Sequence, residues 1–364
     1  MTAHYFRRLY KIYQSQVLAI PGRVIAVFFF LFLLLLPIFV RDVYILRIFI
    51  FANVFVIFAV SWDVLGGFTG QINFGHALFF GVAAYTAALL NIHLGLTPWL
   101  TIPLGAIVAV AAGLLVGIPA LRLRGHYLAL ATLAFPLMLT GGVFAFSNLT
   151  GGELGLSGVT PLPGSRMSQY YASFLLMAGS VLIMWKLTDA NSSIIRIAVI
   201  FHAIREDEIA ARACGINTIR YKLLAFAISG FFAGVAGGFY VHFLRIAGPS
   251  TLELMLSFQA IIWTIFGGIG TIYGAVVGVY ILYPLMEVLR AAPELRMFVF
   301  ALIIMVILRF MPEGIAVWVR DKLEKECPRC KLANAAWRTN CRACGAALYL
   351  EKANSSQNLE IERK

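Results

Sequence analysis

Four of the five cysteines stand in two C-x-x-C knuckles, Cys327-Pro328-Arg329-Cys330 and Cys341-Arg342-Ala343-Cys344, with ten residues between them. Tetrahedral zinc takes four thiolates, and paired knuckles at this spacing supply them. Disulfides and unused thiols are the alternatives; a reducing compartment disfavours the first. A structural zinc contributes about 10–16 kcal/mol of apparent binding free energy, enough to fold a very small module. Cys327, Cys330, Cys341 and Cys344 are therefore expected to hold structural zinc in a ribbon-like tail over 313–350, with Asn334, Gly345 and Leu348 where such ribbons often have them. Residues 351–364 read as disordered. Cys214 reads as an ordinary small residue.

A second group lies in an apolar setting. The run Asp63–His76, DVLGGFTGQINFGH, mixes Asp63, Thr69, Gln71, Asn73 and His76 with four glycines. An aspartate at the centre of a membrane helix costs about 2.5–3.5 kcal/mol on insertion scales. Irregular backbone at membrane depth must be buried in protein or line water. Two readings stay open: Asp63, Gln71, Asn73 and His76 line a solute path, or the segment is a turn between two spans.

The third group is polar. In HAIREDEIAARACGINTIRYKLLAF, His202–Phe226, Glu206, Asp207 and Glu208 fall in the first turn of an expected short helix, with Arg212 near its end and Gly215 just past it. Acids at the start and a base at the end complement the helix dipole. Glu208 and Arg212 form an i,i+4 pair in the favourable order, and glycine suits a left-handed cap. This much helix definition points to a protein-docking segment; an amphipathic connector is the plainer reading. The Gly- and Pro-rich stretch Ser147–Met167 is either a surface connection or a second docking face.

The elements that must position these groups follow from composition. The 364-residue chain is 61% hydrophobic and only 13% charged, and its mean hydropathy is +0.86. Soluble domains carry about 25% charged residues. A span needs about 20 apolar residues, and the windows Val24–Val40, Tyr44–Trp62, Phe74–Leu90, Pro98–Leu121, Tyr127–Ser147, Gln169–Trp185, Leu223–Leu244, Leu254–Phe266, Thr271–Met286 and Met297–Met311 suggest about ten. The expected fold is all-α, a polytopic transmembrane helical bundle with a small C-terminal zinc-ribbon-like module. Glycine-studded stretches opening at Gly66-Gly67 and Gly267-Gly268 suggest two related halves with broken helices. Helix packing is the competing explanation, and the better one for the four-residue spacings Gly230/Gly234/Gly238 and Gly270/Gly274/Gly278.

The net charge of +12 could suggest nucleic acid, but its placement argues for membrane lipid instead. With the N-terminus inside, 23 of the 29 Lys and Arg fall in 1–23, 122–124, 186–222 and 309–364, as the positive-inside rule requires. The organisation expected is a cytoplasmic segment 1–23, a transmembrane domain 24–312 with a cytoplasmic connection 188–222, and a cytoplasmic tail. No small-residue cleavage site follows the first apolar run, so it reads as a retained span rather than a signal peptide. The sequence has no G-x-x-x-x-G-K-[ST] loop, H-E-x-x-H motif or G-x-S-x-G elbow. The chain is expected to be no enzyme and to bind no nucleotide itself.

Several segments resemble the branched-chain amino-acid permease family of ABC importers. They are SWDVLGGFTGQINFGHALFFGVAAYTAALL (61–90), LRLRGHYLALATLAF (121–135), TGGELGLSGV (150–159), the 202–226 segment and LSFQAIIWTIFGGIGTIYGAVVG (256–278). The resemblance keeps its order over roughly 40–312, and is to the member of the pair with the longer N-terminal region. It implies a permease subunit forming half of a path for branched-chain amino acids or a related small polar solute, in the cell inner membrane. The implied partners are a second permease subunit, two ABC ATPase subunits and an external solute-binding protein. It also implies that Arg205, Glu206, Asp207, Glu208, Ala210, Ala211, Arg212 and Gly215 couple to the ATPase. The family's E-A-A-x-x-x-G pattern is met at Ala210, Ala211 and Gly215, but Ile209 precedes Ala210 and the acid, Glu208, lies one residue earlier. A stand-alone channel or secondary transporter is the alternative; the few intramembrane acids do not suggest a proton relay.

Overall fold

The computed structural model describes residues 21–121, 123, 126–189, 197–291, 293–330 and 332–349. The disorder expected for 351–364 and most of segment 1–23 lie outside the described residues. The chain divides into two compact units, Pro37–Ile315 and a smaller one that joins residues before Pro37 to those after Ile315.

In the larger unit the principal helices are α2 (Val43–Thr69), α3 (Ala77–Leu94), α4 (Pro98–Ala120), α5 (His126–Ala145), α6 (Arg166–Thr188), α7 (Ile197–Glu206), α8 (Glu208–Ala213), α9 (Thr218–Leu244), α10 (Leu254–Gly267), α11 (Ile272–Val288) and α12 (Pro293–Phe310); α1 (Pro21–Phe39) leads into it. The expectation of ten spans is corrected. Among the described residues six helices are long and apolar enough to cross a membrane: α2, α3, α4, α5, α6 and α9. A seventh span arises if α10 and α11, which meet at 111°, are counted as one. Two windows separated only by Gly267–Gly270 read as two spans in the sequence, yet α10 has 14 residues and covers about 21 Å. The apolar part of α1, Val24–Phe39, covers about 24 Å, short of the roughly 30 Å hydrocarbon core.

α2 and α9 form the centre, and both are apolar on nearly every face, as helices buried on all sides must be. The Gly230/Gly234/Gly238 series of α9 acts in packing: a Cβ on Gly234 would meet the Ala106 Cα of α4 at 2.8 Å. Polar side chains tie α2 outward. Asn53 donates to Ser173 of α6 at 2.9 Å and accepts from the Tyr280 hydroxyl of α11.

The two halves are related by inversion. α2 ends at Thr69, with Gly70 in the left-handed cap conformation at φ 69°. Residues 70–76 then run back beside α2 until His76 meets Ser61 and Phe58, about 16 Å before the end of that helix. α3 starts there and continues to the opposite end of the bundle. Correspondingly, α9 ends at that opposite end with Arg245 left-handed, residues 245–253 run inward, and α10 starts at the same depth. The Ala77 N–H donates to the Ser257 hydroxyl at 2.8 Å, joining the two helix starts. α3 and α10 diverge from this point toward opposite ends. The counterpart of 70–76 is thus 245–253, and not the glycine-rich stretch from Gly267 that the sequence pattern suggests. Those glycines pack the α10–α11 bend, where a Cβ on Gly267 would lie 1.8 Å from the Gly274 carbonyl.

In the smaller unit α13 (Ile315–Leu323) leads into an antiparallel pair, β1 (Glu324–Glu326) and β2 (Ala333–Ala335), in the register Glu324↔Ala335 and Glu326↔Ala333. The Gly22 N–H donates to the Glu324 carboxylate at 2.8 Å.

Candidate functional site

The four polar residues singled out between Asp63 and His76 are all buried within the chain, on the seam between α2 and residues 70–76. Asp63 Oδ1 accepts the Gly270 N–H at 2.8 Å, fastening α2 to the α10–α11 bend. Gln71 Nε2 donates to Thr69 Oγ1 at 2.8 Å. Asn73 Oδ1 accepts from the Gly75 N–H at 2.8 Å, and its carbonyl accepts the Trp62 indole N–H at 2.7 Å. The His76 Nε2 lies 2.9 Å from the Ser61 hydroxyl, and its ring packs 4.6 Å from that of Phe58. Each of the four keeps one polar atom without a partner among the described residues: Asp63 Oδ2, Gln71 Oε1, Asn73 Nδ2 and His76 Nδ1. A buried unsatisfied group costs about 1–3 kcal/mol, and four of them fall within fourteen residues here.

The residues expected to couple to an ATPase lie at the end of the bundle where α2 stops. The sequence expectation that Glu206, Asp207 and Glu208 share one first turn is corrected. Glu206 closes α7, and Asp207 breaks the helix in an extended conformation at φ −154°. Asp207 then caps α8, its side chain accepting from Ile209 N at 2.8 Å and Ala210 N at 3.0 Å. Glu208 anchors α8 to α9. It accepts from Lys222 at 2.6 Å, Arg212 at 2.9 Å and the Thr218 hydroxyl at 3.2 Å. Ala211 is buried and Ala210 exposed. Gly215 is left-handed at φ 84°, as its place past the helix end suggests. Arg205 turns toward the bundle and donates to the Gly67 carbonyl of α2 at 2.5 Å. It also crowds the α10–α11 bend, where a Cβ on Gly270 would lie 2.5 Å from Nη1. Beside it His202 meets the Phe68 ring at 5.6 Å; burial first, and then the Arg205 charge, lower its pKa, favouring neutral imidazole.

A cavity of about 130 Å3 joins the two groups, with Gln71 on one wall and Arg205, Glu208 and Lys222 on another. Sequence reasoning missed Lys222, Ser61, Trp62 and Gly270. Their roles depend on tertiary proximity, and no local spacing signals them.

In the smaller unit the ligand atoms of Cys327, Cys330, Cys341 and Cys344 lie within 4.8 Å of one another. The sulfur pairs Cys327–Cys344 and Cys330–Cys341 are 3.5 Å apart, close to the roughly 3.8 Å edge of a tetrahedron with Zn–S bonds of about 2.3 Å. The Asn334 amide lies 3.6 Å from the Cys341 sulfur and accepts the Arg342 N–H at 2.9 Å. The backbone amides of Cys344 and Ala343 bring the Cys341 thiol down to about 6, and the Cys330 amide lowers that of Cys327 from its ordinary value. The donor set fits one soft divalent metal.

A family model described as "Branched-chain amino acid transport system / permease component" matches residues 44–308. The "High-affinity branched-chain amino acid transport system permease protein LivM" of Salmonella typhimurium is 29% identical over 295 residues, covering 74% of this chain and 69% of that protein. The Escherichia coli K12 protein of the same description matches to the same extent. The "Probable branched-chain amino acid transport permease protein LivH" of Methanocaldococcus jannaschii is 25% identical over 249 residues, covering 64% of this chain and 76% of that protein. No solved structure matches the chain.

Proposed function

Because the chain belongs to the branched-chain amino acid transport permease family, a family of multi-pass transport components rather than enzymes, we propose that it forms half of the translocation path of an ABC importer in the cell inner membrane. The cargo proposed is a branched-chain amino acid or a related small polar solute. A second permease subunit completes the path, and an external solute-binding protein delivers to it. The reading puts both termini in the cytoplasm, which takes α1 and α12 across the membrane in addition to the longer spans, and it turns the α7–α8 end toward two ATPase subunits.

The observation that carries this reading is the position of Arg205. Its guanidinium ties α7 to the end of α2 and presses on the α10–α11 bend, while α8, next in sequence, presents Ile209 at 70% exposure. An exposed isoleucine on a capped helix suits a cleft on a partner protein. Displacement of α8 by that partner pulls on Arg205, and through it on the two elements that Asp63 and Gly270 fasten together. Asp63, Gln71, Asn73 and His76 lie on the seam that this motion opens, and their unpartnered atoms then face the solute. The tail holds structural zinc through its four cysteines.

Co-purification with two ATPase subunits and a second permease, followed by uptake into proteoliposomes, tests this. Arg205→Ala is expected to retain ATP hydrolysis and lose solute uptake. Uptake at the wild-type rate would overturn the coupling role.

A further inference from the structure

At the end of the bundle opposite α8, residues of α2, α6 and α9 line an open cavity of about 620 Å3. Three arginines line it: Arg47 from the second turn of α2, Arg166 at the start of α6 and Arg245 at the cap of α9. None of the three forms an ion pair with a carboxylate among the described residues, and no Asp or Glu lines the cavity. Arg47 lies over the Phe51 ring at 5.5 Å and Arg166 over the Phe243 ring at 5.1 Å. Arg166 also donates to Gln169 Oε1 at 3.2 Å, and Gln169 is itself held by its bond to the Leu162 carbonyl at 3.0 Å. Two of the guanidiniums are thus braced by aromatic faces, and one also by a fixed amide.

Arg245 adds a second, independent observation. It is the one non-glycine residue with positive φ among the described residues, at 67°. That left-handed cap position favours glycine or asparagine, and costs other residues about 1–2 kcal/mol. An arginine held there despite the cost points to a use for its side chain.

Like charges converging on a cavity with low-dielectric walls repel one another and focus the field for an anion. The planar guanidinium fork matches a carboxylate bidentately. Phe243 and Leu244 supply an apolar wall beside the charges. We propose that this cavity is a receiving site for a solute that carries a carboxylate on an apolar body, with the carboxylate held among Arg47, Arg166 and Arg245. Amides of the same shape lack the negative charge that the site is built for. The inference rests on the proposed function for its place outside the membrane and its part in transport, but the binding itself does not.

The test uses the full chain in nanodiscs of zwitterionic phosphatidylcholine and measures equilibrium binding of leucine and of leucinamide. Leucine is expected to bind saturably and at least tenfold more tightly than leucinamide. Arg166→Gln is expected to weaken leucine about 10–100-fold, as loss of a charge-assisted bond does, and not to weaken leucinamide, whose only charge is its ammonium. Arg166→Lys recovers part of the loss. Arg245→Asn, which suits the left-handed backbone, weakens leucine while leaving the thermal unfolding midpoint at or above that of the wild type. Equal binding of leucine and leucinamide, or wild-type leucine binding by Arg166→Gln, would overturn the proposal. So would absence of leucine binding together with arginine-dependent retention of phosphatidylglycerol, which would assign the cavity to a lipid headgroup. Failure of the importer reading shows separately, as absence of ATP-driven uptake with leucine binding intact.

Discussion

Glu208→Gln should loosen α8 from α9 by an amount the structure sets. The carboxylate accepts from Lys222 at 2.6 Å, Arg212 at 2.9 Å and Thr218 at 3.2 Å. The Arg212 side chain is 50% exposed, so its share is a few tenths of a kcal/mol. Lys222 is different: its side chain is only 11% exposed, and the substitution leaves an ammonium without its counter-charge in a largely buried place. A hydrogen bond to a charged group contributes about 1.5–3 kcal/mol. The total loss is about 2–3 kcal/mol, which is about 30–150-fold in an opening equilibrium. Amide hydrogen exchange over 207–216, in the full chain in nanodiscs, should accelerate by that factor while exchange in the centre of α2 stays unchanged. Adding Lys222→Met should restore much of the protection, because it removes the stranded charge. Unchanged exchange in Glu208→Gln, or no recovery in the double variant, would refute the reasoning that Glu208 holds α8 against α9.

Three further predictions concern other parts of the molecule. Asp63→Asn keeps an oxygen to accept the Gly270 N–H and should fold as wild type, whereas Asp63→Ala should lose about 1–3 kcal/mol in a denaturation series. Gly267→Ala places a methyl 1.8 Å from the Gly274 carbonyl, so α10 and α11 must part; a drop of about 1–3 kcal/mol is expected in the same series. Chelation of the metal, or Cys341→Ser, should unfold the tail, read as loss of protease resistance over 324–349, and leave the larger unit's unfolding midpoint within a few degrees.

The sequence was most legible where chemistry depends on local spacing. Two C-x-x-C knuckles place four sulfurs together because each knuckle is a closed local turn, and β1–β2 pairing needs few residues to join them. The α8 helix was legible through its acidic start and Gly215 stop, but the chain break at Asp207 and its capping role were not, since Glu206, Asp207 and Glu208 are equally good in a first turn. Span number was legible only approximately. Hydropathy registers an apolar run and not the continuity of its helix, so α10 and α11 read as two spans. The inverted relation of the halves was hidden for a different reason. Residues 70–76 and 245–253 share a path but not a composition, and the glycines that looked like the second copy pack a helix bend. Arg205 at Gly67, and the three arginines at the opposite end, come together only through tertiary folding, from positions far apart in the sequence.

The most direct test of the central claim is ATP-driven uptake in proteoliposomes holding this chain, its partner permease and the ATPase subunits, with the solute-binding protein supplied to the face that carries residues 147–167. Uptake of a labelled branched-chain amino acid should require ATP on the α8 face and the binding protein on the other, and Arg205→Ala should abolish uptake while hydrolysis continues. Solute flux through this chain alone, without ATPase subunits or ATP, would contradict the account and point to a stand-alone channel or secondary transporter.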